Sequence, residues 1–178
     1  MDEIIIVDYD PLWQGLFEEE AAQVWKTLGN DMVVAIEHIG STAVPGLAAK
    51  PVIDLMVGVH SVENARSAIP LLEALGYIYW RENPYPDRLF FVKGMPPYGK
   101  QRTHHIHIVK AYSEFWERLL FRDYLRTHPD EAKRYETLKR NLARRFYTDR
   151  ESYTNGKSNY IQAVMEKAQR EQTIQNKI

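Results

Sequence analysis

Gly40, Ser41 and Thr42 are followed, thirteen residues after the serine, by Asp54, an acid inside the apolar run Val52 to Val59. Glycine allows backbone conformations and a close ligand approach that a side chain forbids. With two hydroxyls beside exposed N–H groups, a phosphate would fit this turn. A short helix starting near Thr42 and running through Ala49 would add free N–H groups and the positive end of its dipole. Lys50, four residues before the acid, is the best placed cation, its plain alternative being a solvated lysine. A carboxylate in an apolar strand is costly to bury unless a metal, a cation or a hydrogen-bond donor meets it. Asp54 is therefore a candidate for chemistry, and a strand-edge acid bonded to backbone is the structural alternative.

The second unusual run is Thr103-His104-His105-Ile106-His107-Ile108-Val109. Alternation along a strand puts His105 and His107 on one face and the isoleucines on the other. Two imidazoles could hold a metal; His107 could instead act as a general base or, protonated, contact a phosphate. Histidines bonded to polar neighbours are the bland alternative. The run also matches two positions of a histidine-triad hydrolase, with Val109 where the third histidine belongs. Further phosphate-binding candidates are Arg81, Arg88, Lys93 and Arg102, then Arg122, Arg126 and Lys157, the last in the stretch Tyr153 to Lys157 that reads as a loop. Phe90, Phe91, Phe115, Trp116 and Tyr124 read as core rather than as a platform for bases.

Six short β-branched runs must position these residues: Ile4 to Val7, Met32 to Ile39, Val52 to Val59, Tyr77 to Arg81, Leu89 to Val92 and His104 to Val109. Between them, Pro11 to Leu28 has helical spacing at Leu12, Leu16, Ala22, Val24, Trp25 and Leu28, with Asp10 as its N-cap. Ser61 to Leu75 is a second helix, capped by Ser61 and stopped by Gly76. After Ala111 the pattern becomes helical. Ser113 to Arg126 is broken at Thr127-His128-Pro129, and a helix restarting at Asp130 carries the stripe Tyr135, Leu138, Leu142, Phe146. A last helix begins near Glu151 or Ser158, and Gln169 to Ile178 frays. The expectation is one α+β domain over 1–178: a sheet-containing half, 1–111, with two helices on one side, and a helical tail, 112–178, of three helices packed on it.

With 178 residues, 44% of them apolar, the chain can fill one core, and it holds no repeat and no long linker. No stretch is long enough to cross a bilayer. The opening residues lack the basic-then-apolar layout of a secretory signal, so a cytoplasmic location is expected. Zero cysteines excludes disulfides and thiolate metal sites. The net charge of -1 divides into -5 over residues 1–111 (9 basic, 14 acidic) and +4 over 112–178 (14 basic, 10 acidic). The densest basic run, Lys139 to Arg150, is read as a solvated helix face, with a phosphate-rich ligand or a nucleic acid as the alternative. Nucleic acid is not the expected partner.

The run His38 to Asp54, the opening Tyr9-Asp10-Pro11-x-Trp13, His105-Ile106-His107, and Phe121-Arg122-Asp123-Tyr124-Leu125-Arg126 resemble the GrpB-like family over nearly the whole chain. That family is similar to a branch of the nucleotidyltransferase superfold, marked by Gly-Ser, a spacer, Asp-hydrophobic-Asp/Glu and a third carboxylate on a later strand. The resemblance implies a nucleotidyltransferase-like mixed sheet with flanking helices. It implies a nucleotide phosphate on Gly40 and Ser41 and a divalent metal on Asp54; by the reading of the turn itself, Thr42 adds to the phosphate site and Lys50 neutralises charge. Magnesium or manganese suits the reaction, in which an acceptor hydroxyl attacks the α-phosphate of a nucleoside triphosphate. His105 and His107 lie on the strand where the third carboxylate is expected. With Asp54 they would form a two-histidine, one-carboxylate metal set, which brings zinc into range; Asp54 and His107 would be the catalytic pair.

The partners implied are a nucleotide and a small acceptor molecule. The chain departs from the motif at Met56, which takes the second carboxylate's place and cannot serve magnesium. Two other readings therefore stand beside transfer: a non-catalytic nucleotide- or metabolite-binding protein on the same fold, and an interaction module using the basic helix near Arg144.

Overall fold

The computed structural model describes residues 3–175. The fold is α+β: five strands, β1 (Val33–Ile39), β2 (Ile53–Val59), β3 (Tyr77–Tyr79), β4 (Arg88–Lys93) and β5 (His104–Lys110), form one sheet in the order β1-β2-β5-β4-β3. Only β2 and β5 run parallel, so the sheet is mixed as expected. Five of the six expected strands are present. Ile4 to Val7 is not a strand: it makes one bridge, Val7 to Ala49, and the Ile4 N–H donates to the Tyr147 carbonyl at 2.8 Å. Its apolar residues serve another purpose, because Ile4 packs with Ala143 and Tyr153 of the tail.

Helices α1 (Leu12–Leu28) and α2 (Ala68–Ala74) cover one face of the sheet. There Leu55, Val57, Ile106, Ile108, Leu89 and Phe91 alternate inward against Trp13, Val24, Leu28 and Leu72, forming the main core. Asp10 caps α1 as anticipated, its Oδ1 accepting the Leu12 N–H at 2.9 Å. The buried face of α1 is not the expected one: Leu12 and Leu16 are 70% and 44% exposed, whereas Glu20 is buried. Glu20 is tolerated inside because the Tyr77 hydroxyl (2.9 Å) and Lys93 Nζ (2.8 and 3.0 Å) donate to it. The second helix begins as a 3-10 turn, Asn64–Ser67, before α2. Pro70 explains the division, since its ring opposes an α-helical carbonyl four residues earlier but is tolerated in a first turn. The Ser61 hydroxyl accepts the Asn64 N–H at 3.3 Å, the cap expected of it.

Among the described residues the tail holds four α-helices rather than three: α3 (Leu119–Thr127), α4 (Pro129–Arg145), α5 (Arg150–Asn155) and α6 (Ser158–Gln175). Tyr153 to Asn155, expected in a loop, lies in α5, and residues 169–175 continue α6 instead of fraying; residues 176–178 lie outside the described range. In α4 the buried row is Glu131, Tyr135, Lys139 and Ala143, rotated from the expected stripe. The helices α3, α4 and α6 enclose Val44 and Leu47 with Leu125, Tyr135 and Val164. The loop that follows the Gly-Ser turn is thus seated in the tail's own core. Among the described residues, no helix is long and apolar enough to cross a membrane.

Candidate functional site

The site lies on the other sheet face, away from α1 and α2. Strand β1 ends at Ile39, opposite Asp54, and Asp54 is opposite His105 across the parallel β2–β5 ladder, with Met56 opposite His107. Pairing directs all these side chains to one face. His105 Nδ1 lies 2.8 Å from Asp54 Oδ1, and His107 Nε2 lies 3.8 Å from the same oxygen. Gly40 follows directly with φ 75° and ψ -175°, a conformation open essentially to glycine alone. A Cβ there would lie 2.5 Å from Asp54 Oδ2. The glycine thus serves two purposes, turning the chain and leaving space for the carboxylate.

Burial pushes the Asp54 carboxyl up, but the hydrogen bond with His105 and the nearby His107 prevail and hold it well below the usual carboxylate range. Burial lowers His107 to about 4, against the attraction of Asp54 and with help from the Arg88 charge. His105, His107 and Asp54 offer one donor atom each, all within 4.8 Å of one another. His105 Nε2 and His107 Nδ1 are buried without a hydrogen-bond partner. Two imidazoles and a carboxylate are a donor set that suits manganese, iron or zinc better than magnesium.

Cations gather on one side. Lys50 Nζ lies 5.0 Å and Lys157 Nζ 4.5 Å from the Tyr153 ring centre. Burial lowers Lys50 to about 7, with further repulsion from Arg150 and Lys157; burial likewise lowers Lys157 to about 8, and the Asp54 charge opposes it. Lys139, expected on a solvated face, is 2% exposed and donates to the Ala48 carbonyl at the head of this cluster. Crowded cations in a partly buried place gain from an anion that meets them. Sequence reasoning missed Lys139 in this position, and it missed that Tyr135 is buried against the loop that follows the Gly-Ser turn, packed with Val44 and Leu47.

The other expected residues separate. Ser41 follows Gly40 at the start of a 3-10 turn, but the Thr42 hydroxyl is turned inward, 3.0 Å from His38 Nε2 and donating to the Val52 carbonyl at 3.4 Å. Its side chain braces the turn, so a ligand would meet only its backbone. His38 is fixed by stacking on Phe17 (4.5 Å, 6° between planes). Lys93 is on the opposite face with Glu20, and Arg102 lies 5.4 Å from the Trp80 ring centre. Arg122 and Arg126, expected to bind phosphate, hold the scaffold instead. Arg122 donates to Glu37 (2.7 Å) and the His38 carbonyl (2.9 Å), and Arg126 to the Ala43 carbonyl (2.9 Å). Helix α3 thereby pins both ends of the Gly-Ser turn. A groove of about 660 Å³ among the described residues lies elsewhere, lined by Lys93, Gly94 and Tyr98.

Burial lowers His38 to about 4, as it does His107. Both histidines prefer to be neutral in the fold while the unfolded chain titrates near 6.5. Their contribution is complete above pH 6.5 and is lost as pH falls toward 4, by as much as about 3 kcal/mol for each. Urea unfolding in chelator should show this decline between pH 6.5 and 4. Stability unchanged over that interval would mean that neither imidazole is held neutral by burial.

The family profile described as GrpB protein matches residues 3–167. A UPF0157 protein of Pseudomonas aeruginosa is 46% identical over 167 residues, covering 94% of this chain and 68% of that one. The glutamate-rich protein GrpB of Alkalihalophilus pseudofirmus is 33% identical, covering 92% and 94%. A crystal structure of conserved protein GrpB from Enterococcus faecalis superposes with a TM-score of 0.84 at 36% identity, covering 94% of this chain and 98% of that one.

Proposed function

The chain belongs to the GrpB family, and from that premise we propose that it binds a nucleoside triphosphate together with one divalent metal ion on the Asp54 face. One observation carries this reading: a carboxylate seated against Gly40, with the buried His105 and the half-buried His107 on one side and the Lys50–Lys157 cluster near it. Asp54, His105 and His107 hold the metal in this reading, and manganese or zinc matches them better than magnesium. When bound, the metal supplies positive charge to the phosphates and acidifies a hydroxyl. Gly40 and Ser41 admit the phosphates to the turn, and Lys50 and Lys157 neutralise them.

In the transfer reaction an acceptor hydroxyl attacks the α-phosphorus, the new O–P bond replaces the bond to pyrophosphate, and the hydroxyl proton leaves. In the alternative arrangement, where Asp54 and His105 hold the metal without it, His107, kept neutral by burial at pH 7, is the proton acceptor. A second reading, binding without transfer, is favoured by Met56. It is wholly buried, and its β1 neighbour Glu37 is committed to Arg122 at 2.7 Å. No second carboxylate is therefore free beside Asp54 among these residues.

The test is a thermal-shift panel of nucleoside triphosphates with magnesium, manganese, zinc or chelator, run beside a pyrophosphate-release assay with candidate hydroxyl acceptors. At a hundredfold excess over Kd, ligand binding should raise Tm by about 5–10 °C. A metal-dependent shift with pyrophosphate release supports transfer, and a shift without release supports binding alone. A folded protein that shifts with no pair overturns both.

A further inference from the structure

The site face continues past the histidines in a direction the nucleotide reading leaves unused. Phe90 is opposite His107 in the β4–β5 ladder, with its ring 4.8 Å from that imidazole, and Phe115 lies 5.9 Å from it. Beyond these rings is Arg88, on the same face as Phe90 and two residues before it. Its guanidinium carbon is 5.8 Å from the Phe90 ring centre, 4.9 Å from Phe115 and 4.5 Å from Tyr85. Arg118 stacks on the same Phe115 ring at 4.3 Å. Two guanidiniums therefore share one phenyl ring, next to the metal-ligating candidate furthest from Lys50.

The pair is not explained by scaffolding alone. Arg88 donates from Nη2 to Asn83 Oδ1 at 3.2 Å, but its Nε is buried without a hydrogen-bond partner. A buried, unpaired donor on a charged group is costly, and a second guanidinium nearby adds repulsion. Burial and Arg118 together lower the proton affinity of Arg88. An oxyanion would satisfy the donor and relieve the repulsion, and a planar guanidinium fork matches both carboxylate and phosphate. Cation–π contacts with three rings hold Arg88 in place for such a ligand.

We infer that Arg88 and Arg118 form a separate oxyanion subsite at the His107 end of the face, binding a carboxylate or phosphate of the second reactant, the acceptor. The assignment to the acceptor rests on the proposed metal–nucleotide reading; the oxyanion subsite itself does not. The nucleotide phosphates occupy the Lys50–Lys157 end, the reacting centre lies at Asp54, and an acidic acceptor is anchored across the histidines from them. The substrate class implied is a small acid that carries a hydroxyl.

The orphaned Nε–H of Arg88 also provides the readout. In the full chain, with chelator present, the arginine Nε–H cross-peaks are followed by NMR during titration with inorganic phosphate and, separately, acetate. The two signals are assigned by their loss in Arg88→Lys and Arg118→Lys. Saturable shifts of both signals are expected at millimolar anion, and Arg118→Gln, an exposed substitution, should weaken the Arg88 response about tenfold or more. Saturation by acetate alone assigns a carboxylate and by phosphate alone a phosphate; saturation by both leaves the shared oxyanion chemistry. No saturation with either, or an Arg88 response unaffected by Arg118→Gln, overturns the subsite. Asp54→Asn should leave these shifts intact. If that variant also binds metal like the wild type, the metal reading fails and the acceptor assignment with it, while the anion subsite stands.

Discussion

Asp54→Asn is expected to reduce manganese or zinc affinity by about 100-fold or more, because it removes the one anionic donor of a three-residue set; even outer-shell partners cost 10–100-fold. Asparagine keeps the size and an acceptor for the His105 ring, which lies 2.8 Å from the native oxygen, so the fold should survive. It nevertheless deletes the charge that faces Lys50 and Lys157. A stability loss of about 1–3 kcal/mol follows, as for other hydrogen bonds to charged groups. The same linkage appears in the wild type. Since the folded-state pKa of Asp54 is depressed, its contribution is full above the ordinary carboxylate range and disappears as pH falls through and below that range. Calorimetric titration with each metal, beside urea unfolding, checks both parts. Wild-type metal affinity in Asp54→Asn would remove this residue from any metal site.

Gly40→Ala should damage the site without removing any ligand. Its backbone lies where a side chain is strained by about 1–3 kcal/mol. The added methyl would stand 2.5 Å from Asp54 Oδ2, so the carboxylate must turn away from its position beside His105 and His107. A total loss of about 2–4 kcal/mol is expected, with metal affinity falling together with stability. Gly46→Ala is the matched control. Gly46 also has positive φ (79°), but nothing lies within 4 Å of its would-be Cβ. It should show backbone strain alone and wild-type metal binding. If Gly40→Ala and Gly46→Ala behave alike in both measurements, the close packing of Gly40 on Asp54 has no functional weight.

The sequence by itself determined what depends on neighbours along the chain. Alternation placed His105 and His107 on one face, Asp10 and Ser61 announced their caps, and the apolar run around Asp54 marked a buried strand. These features follow from strand geometry and local hydrogen bonds, which a few consecutive residues specify. Likewise Met56 could be recognised as the break in the carboxylate pattern, because it shares the face of Asp54 by the same alternation.

Only the tertiary structure decided which of two plausible faces a helix buries and which cations remain for a ligand. Glu20 went inward in place of Leu16 because Tyr77 and Lys93, both more than fifty residues away, supplied its hydrogen bonds. Lys139 left the solvated face because the Ala48 carbonyl lay within its reach. Arg122 and Arg126 were drawn from the pool of phosphate binders to brace the Gly-Ser turn, and Arg88 and Arg118 met on Phe115. Charge and amphipathic pattern show that a side chain needs a partner. They do not say which, since that choice is made by contacts whose separation in sequence leaves no periodic trace.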